Sequence, residues 1–177
     1  MSPDKQHRKQ GRRYERKRRQ VLKDLQQRVR ENFSGQEVRF GAPSDGRKMS
    51  EVLEAFVEPY MDDVETREQY EVLLTLGMAA WNAALIPQEK DMVDPILAAM
   101  PRDLRRDGRR LLTELLHRKR TKFAGNKRGI ISFSVTDMPD GTWHLAVVSS
   151  QGPLSTERST LAPRGFWTWL RSLWPWR

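Results

Sequence analysis

Residues 66–85 read TREQYEVLLTLGMAAWNAAL and predict the central helix of the fold. Thr66 and Gln69 fit a capping box, in which two side chains satisfy the first free amide groups of a helix. Apolar residues then recur at steps of three and four, the period of a helix with one buried face. These residues are Tyr70, Leu73, Leu74, Gly77, Met78, Trp81 and Leu85. Pro87 disfavours helical geometry at Ile86, so we expect the helix to end there.

Three further helices are predicted around this segment. Residues 50–60 carry one apolar face, with Ser50 as the expected N-cap. Residues 92–100 form a helix that Pro95 is expected to break or kink. The last helix begins at Pro101, runs to about residue 123 and turns a leucine stripe inward. That stripe consists of Leu104, Leu111, Leu112, Leu115 and Leu116, with Gly108 on the same face, where it allows close packing.

After residue 126 the apolar period changes from 3.6 to 2, which indicates strands. The alternating residues are Ile131, Phe133 and Val135, then Trp143, Leu145 and Val147. Pro139-Asp140-Gly141 between them is a turn signal, so the segment predicts a β-hairpin. An isolated hairpin is marginal in water, so its apolar face should pack on the helices. The predicted fold is α+β and mostly α: a compact domain over residues 48–149, of about four helices and a C-terminal hairpin.

The remaining segments flank that domain. The spacing of Val21, Leu22, Leu25 and Val29 predicts an extra N-terminal amphipathic helix. Residues 1–20 lack core-forming side chains, and we expect this basic arm to be disordered or at most nascent helix. The full division is a basic arm at 1–20, an amphipathic helix at 21–34, a linker at 35–47, the domain at 48–149, a tether at 150–165 and a tryptophan-rich tail at 166–177.

Composition excludes several function classes. Cysteine is absent, so disulfide scaffolds, thiolate zinc sites and thiol nucleophiles are excluded. The three histidines lie in different segments, and no nucleophile elbow, phosphate-binding loop or dinucleotide fingerprint occurs. We therefore predict no catalytic residue, metal site or cofactor, while an active site assembled from distant residues stays open. The basic start has no apolar segment after it, so we expect a cytoplasmic protein.

Charge is sorted along the chain. Residues 1–30 carry a net charge of +9, residues 31–101 carry −9, and residues 102–128 carry +8. Such a basic arm neutralises phosphates and gains affinity by releasing counterions, without needing a fold. We expect non-specific, salt-dependent contact with RNA or DNA; a solubilising segment, or one that docks on the chain's own acidic region, is the alternative. The residues concerned are Arg8, Lys9, Arg12, Arg13, Arg16, Lys17, Arg18 and Arg19.

The helix predicted from residue 101 offers a second basic face. Its members are Arg102, Arg106, Arg109, Arg110 and Arg120. Spacing would pair Asp107 with Arg110 and Glu114 with Arg118, so a solvated, partly self-paired face is the main alternative to a phosphate contact. Eight acidic residues between 51 and 71 lack the spacing and glycine of a calcium loop. We expect them to complement this basic helix, within one molecule or between two.

The tail carries four of the six tryptophans. Its aromatic and apolar residues are Phe166, Trp167, Trp169, Leu170, Leu173, Trp174 and Trp176. Such a cationic, tryptophan-rich segment could lie on an anionic membrane, insert into a partner's groove or fold back on the domain. The leading hypothesis is thus a non-enzymatic protein that binds nucleic acid or another polyanion. The alternative is a peripheral membrane or protein-interaction adaptor that acts through the tail.

The run from Lys48-Met49-Ser50-Glu51 through Ala80-Trp81-Asn82 to the hairpin resembles a group of small bacterial proteins without an assigned activity. The likeness covers about residues 47–149 and leaves out both ends of the chain. It implies a shared fold and gives no expectation of activity, cofactor or site.

Overall fold

The computed structural model describes residues 3–32, 46–86, 89–138 and 140–150; within these, it does not describe the side chains of residues 3–10, 12, 14, 18, 28, 29, 32 and 89–92. The described helices are α1 (Pro3–Asn32), α2 (Met49–Val57), α3 (Arg67–Ala83), α4 (Glu89–Ala99) and α5 (Arg105–Lys122). A short 3-10 helix, Glu58–Tyr60, follows α2, and the strands β1 (Ile130–Asp137) and β2 (Trp143–Ser149) form an antiparallel hairpin. The fold is therefore α+β and mostly α, as predicted.

The chain divides into two compact units. One comprises residues 1–41 and 131–148, and the other comprises residues 42–130 and 149–177. The sequence analysis placed the hairpin in one domain with the helices of residues 48–130, whereas residues 131–148 belong to the unit of α1. Within that unit the Lys17 ammonium donates a hydrogen bond of 2.9 Å to the Asp137 carbonyl, at the end of β1.

Helix α1 is longer than the sequence analysis predicted. It begins at Pro3 instead of near residue 21, so most of the basic arm is helical. Arginine, lysine and glutamine are good helix formers, and Pro3 occupies the first helical position, where proline is tolerated. The low apolar content that suggested disorder limits packing, and it does not by itself oppose helix formation.

Helix α3 forms the centre of the second unit. The predicted capping box is present, because the backbone amide of Gln69 donates to Thr66 Oγ1 and the backbone amide of Thr66 donates to Gln69 Oε1. Every residue from Leu73 to Ala83 is buried. The ring of Trp81 packs edge-on against Phe56 and Phe123, with centroid distances of 5.2 and 5.7 Å. Such aromatic pairs add stability beyond the burial of their area.

The end of α3 holds the segment that leads into β1. The Trp81 indole donates a hydrogen bond of 2.8 Å to the Arg128 carbonyl. The side chain of Asn82 bonds both backbone groups of Ile130. Its Nδ2 donates to the Ile130 carbonyl at 2.7 Å, and its Oδ1 accepts from the Ile130 backbone amide at 2.9 Å. Because buried backbone groups must be paired, this side chain fixes the position of the first strand residue.

Three local predictions about the helices need correction. Helix α2 begins one residue earlier than predicted, with Lys48 rather than Ser50 as its N-cap. Helix α4 continues through Pro95, which is exposed. Burial of Ile96 and Leu97 there contributes about 1.5–3 kcal/mol each, enough to offset the roughly 3 kcal/mol that an interior proline costs.

The start of α5 also differs from the prediction. The helix begins at Arg105 after a turn over residues 101–104, and Leu104 is 42% exposed instead of facing the core. The Arg105 side chain reaches back to the carbonyls of Ala98 and Met100 at the end of α4. Free carbonyls at a helix end need such donors. Gly108 faces Met100 and permits the close packing that its position predicted.

The hairpin turn follows the predicted signal. Gly141 has a φ of 81°, in the left-handed region that favours glycine. The Asp140 carboxylate accepts hydrogen bonds from the Thr142 hydroxyl and amide, which lower the pKa of that carboxyl. Val135 and Leu145 are buried, as the alternation predicted, while Phe133 and Trp143 are only half-buried.

Candidate functional site

The first predicted set of basic residues lies on α1. Arg13, Arg16, Lys17 and Arg19 are all exposed there. Arg8, Lys9, Arg12 and Arg18 also lie in α1, but their side chains are outside the described residues. Lys17 bonds the Asp137 carbonyl, so one member of the predicted set also joins α1 to the hairpin.

Four exposed cations of α1 share one side of the helix. At about 100° per residue, Arg16, Arg19, Lys23 and Arg30 fall within about 60° of one another. All four are exposed, and the distance from the first to the last is about 21 Å along the axis. The surface that these four residues form is called the α1 basic face below.

Two of the five glutamines of α1 are engaged with neighbouring acids. The Gln20 amide donates to Asp24 at 2.8 Å, and the Gln27 amide donates to Glu31 at 2.9 Å. Glutamine reads adenine through a free side-chain amide, so these two residues are not available for that contact. Arginine and lysine contacts to phosphates position a protein without specifying a base.

Helix α5 and the turn before it carry the second predicted set. Arg102, Arg106, Arg109, Arg110 and Arg120 are all exposed. Arg110 pairs with Glu114 at 3.1 Å, rather than with Asp107 as its spacing suggested. Glu114 is therefore not the partner of Arg118, and part of this surface is paired within the helix.

Three other cations of α5, namely Arg105, Arg118 and Lys119, bond backbone carbonyls. Arg118 donates to the carbonyls of Ala55 and Phe56, at the end of α2. The Lys119 ammonium donates to the carbonyls of Phe123 and Asn126 and lies 4.4 Å from the centre of the Trp81 ring. Burial, and to a lesser extent the charge of Lys127, lower the pKa of Lys119 to about 8. These cations lie outside the predicted set, and no local sequence pattern indicates that they stabilise the fold.

An open groove of about 800 Å³ runs beside α3 within the second unit. Its apolar walls include Leu73 and Leu76 from α3 and Leu104 and Leu111 from the α5 side. Asp62, Asp63 and Glu68 supply acidic groups, and no basic residue lines the groove among the residues that the structure describes. Tyr60 lies at one end, where burial and then Glu114 raise the pKa of its hydroxyl. This acidic-rimmed groove was not predicted, because the exposure of Leu104 depends on the turn before α5.

Other kinds of site were sought in the described part of the chain. There, no group of three or more histidine, aspartate or glutamate side chains is placed to hold a metal ion. No helix among the described residues is long and apolar enough to cross a membrane. The tryptophan-rich tail, residues 166–177, lies outside the described residues.

No protein-family model matches the chain, and no curated protein or solved structure is significantly similar to it. The assignment of a function therefore depends on the side chains themselves.

Proposed function

We propose that the protein is a non-enzymatic binding protein that contacts RNA, DNA or another polyanion through α1. The observation that carries the proposal is the α1 basic face, on which Arg16, Arg19, Lys23 and Arg30 are all exposed. Each phosphate that such a cation neutralises releases condensed counterions, which supplies affinity without a recognition pocket.

The dimensions of α1 support this role. A helix of 30 residues is about 45 Å long, and double-stranded DNA presents a phosphate charge about every 1.7 Å of its axis. A single helix also fits the major groove of B-form DNA. Several cations of α1 can therefore contact one nucleic acid at the same time.

The expected binding is independent of sequence. Gln20 and Gln27 bond acidic neighbours, and arginine or lysine contacts to phosphates position a protein without specifying a base. Affinity should fall linearly with salt on logarithmic axes, with a slope that counts the phosphates neutralised. We also propose a cytoplasmic location, which a chain without cysteine suits because that compartment is reducing.

The proposal is tested with the full-length protein, a labelled generic RNA and a labelled generic DNA across a salt series. Deletion of residues 1–20 should lower affinity at low salt by about 100-fold, because most of the phosphate contacts are lost. Circular dichroism and thermal unfolding of the deletion variant check that the helices of residues 49–122 remain folded.

A second deletion, of residues 164–177, separates the two function classes. It should leave nucleic-acid affinity nearly unchanged if α1 carries the binding. Absence of binding by the full-length protein at low salt would overturn the proposal. Loss of lipid or partner capture on deleting only the tail would favour the adaptor hypothesis instead.

A further inference from the structure

We propose that the acidic-rimmed groove is the docking site of the chain's own tryptophan-rich segment, residues 164–177. The groove offers apolar surface at Leu104, which is 42% exposed, while Leu73 and Leu76, which also line it, are each only 6% exposed. Its volume of about 800 Å³ is within the range of pockets that enclose a ligand of drug size. Aromatic side chains are the usual anchors in such a pocket.

Charge complementarity favours this occupant. Within the described part of the chain, the groove is lined by Asp62, Asp63 and Glu68 and by no basic residue. Residues 164–177 contain three arginines and no acidic residue. Opposite charges at the rim of an apolar contact orient the partners and suppress wrong ones.

The spacing of apolar residues also fits. Phe166, Trp169, Leu170 and Leu173 stand at positions i, i+3, i+4 and i+7, the pattern by which an amphipathic helix lies in a groove. The basic arm fits less well, because between Met1 and Val21 its only large apolar residue is Tyr14. An arm of this composition can pair with the acidic side chains of the groove, but it has too few apolar side chains to cover the apolar walls.

The chain is long enough to reach the groove. Ser150 is held at Gly129 by two hydrogen bonds of 2.7 and 2.8 Å, and both residues belong to the unit that contains the groove. Asn82 holds the adjoining Ile130, while the groove residues of α3 lie nearer its start, about 9–21 Å away along the helix axis. Residues 151–163 can extend over about 43–47 Å, which exceeds that distance.

The absence of native cysteine makes a direct test possible. Ser172→Cys gives a single thiol for a nitroxide spin label, and the full-length protein carrying it is uniformly labelled with ¹⁵N. Amide signals of groove residues such as Val64, Val72 and Leu104 should lose most of their intensity, while those of Arg120 should keep theirs. Unchanged groove signals would overturn the proposal.

Two matched variants test the groove itself. Asp62→Asn with Asp63→Asn should lower the docking equilibrium about threefold to tenfold, since it removes two exposed charge contacts. Glu51→Gln with Glu54→Gln removes the same charge from exposed positions of α2 outside the groove and should leave docking unchanged. Equal effects of the two variants would show non-specific attraction and contradict the proposed site.

A mixed sample distinguishes docking within one molecule from docking on a second copy of the chain. Spin-labelled protein without ¹⁵N is mixed with ¹⁵N-labelled protein without the spin label. The proposal predicts no loss of groove signals in the mixture. Loss there would show that the segment docks on another molecule, which would overturn the intramolecular assignment.

Discussion

The two arginine-rich helices, α1 and α5, use their charges differently. In α5, Arg105, Arg118 and Lys119 donate to carbonyls at the ends of α4, α2 and α5 itself. The residues of the α1 basic face, by contrast, are exposed along one side of their helix over about 21 Å. Local composition is therefore a poor guide to function, because the same residue types bond backbone carbonyls at some positions of α5 and are exposed at other positions of α5 and on the α1 basic face.

The largest effect on stability is expected at Arg118. Arg118→Ala removes donors from the carbonyls of Ala55 and Phe56, and a hydrogen bond to a charged group contributes about 1.5–3 kcal/mol. We expect the free energy of unfolding to fall by about 2 kcal/mol, measured by urea denaturation. Arg16→Ala on α1 is the matched control and should change stability by less than about 0.5 kcal/mol. Equal losses of unfolding free energy in the two variants would show that the cations of α1 and α5 do not differ in their contribution to stability.

Lys119 should make stability depend on pH. Its pKa is about 8 in the folded protein, below the ordinary value of 10.5 that the unfolded chain keeps. Between these values the unfolded chain binds a proton that the folded chain has released, so raising the pH favours folding. The free energy of unfolding should therefore rise above about pH 8, by at most about 1.4 kcal/mol per pH unit.

The pH effect is measured by urea denaturation between about pH 8 and pH 10, for the native protein and for Lys119→Met. The variant should show a flatter profile, because the titrating amine is gone. The upper limit avoids Tyr70, whose pKa is raised by burial and by Glu54, so that its ionisation opposes folding at higher pH. The same rise in both proteins would assign the pH dependence to another group.

The smallest effect is expected at Lys17, the cation that joins α1 to the hairpin. Lys17→Gln weakens the bond to the Asp137 carbonyl at an exposed position and should cost about 0.5 kcal/mol. Hydrogen exchange of the β1 and β2 amides should become measurably faster than in Lys23→Gln, which removes a charge from the same helix. Identical exchange in both variants would show that this bond does not stabilise the hairpin.

Much of the fold followed from sequence periodicity. The capping box at Thr66, the apolar face of α3 and the turn at Asp140-Gly141 are local signals, and each is present in the structure. The helical start of α1 was not predicted, since the absence of apolar residues suggested disorder while helix propensity was given no weight. The role of Asn82 was also missed, because its bonds to Ile130 join residues 48 positions apart.

The candidate site also has features that local sequence predicted and features that it did not. Exposure of Arg13, Arg16 and Arg19 was expected from composition alone. The carbonyl partners of Arg105 and Arg118, and the groove beside Leu104, depend on where one helix ends and the next begins. Such long-range contacts carry no signal in a single sequence.

The most direct test compares matched charge removals on the two helices. One variant carries Arg13→Gln, Arg16→Gln and Arg19→Gln on α1, and the other carries Arg102→Gln, Arg106→Gln and Arg109→Gln at the α5 face. Both lose three positive charges, and the dependence of DNA affinity on salt is measured for each. The α1 variant should bind with a logarithmic slope smaller by about 2–3, while the α5 variant should keep the native slope. Equal slopes for the two variants, or a loss confined to the α5 variant, would contradict the assignment of polyanion binding to α1.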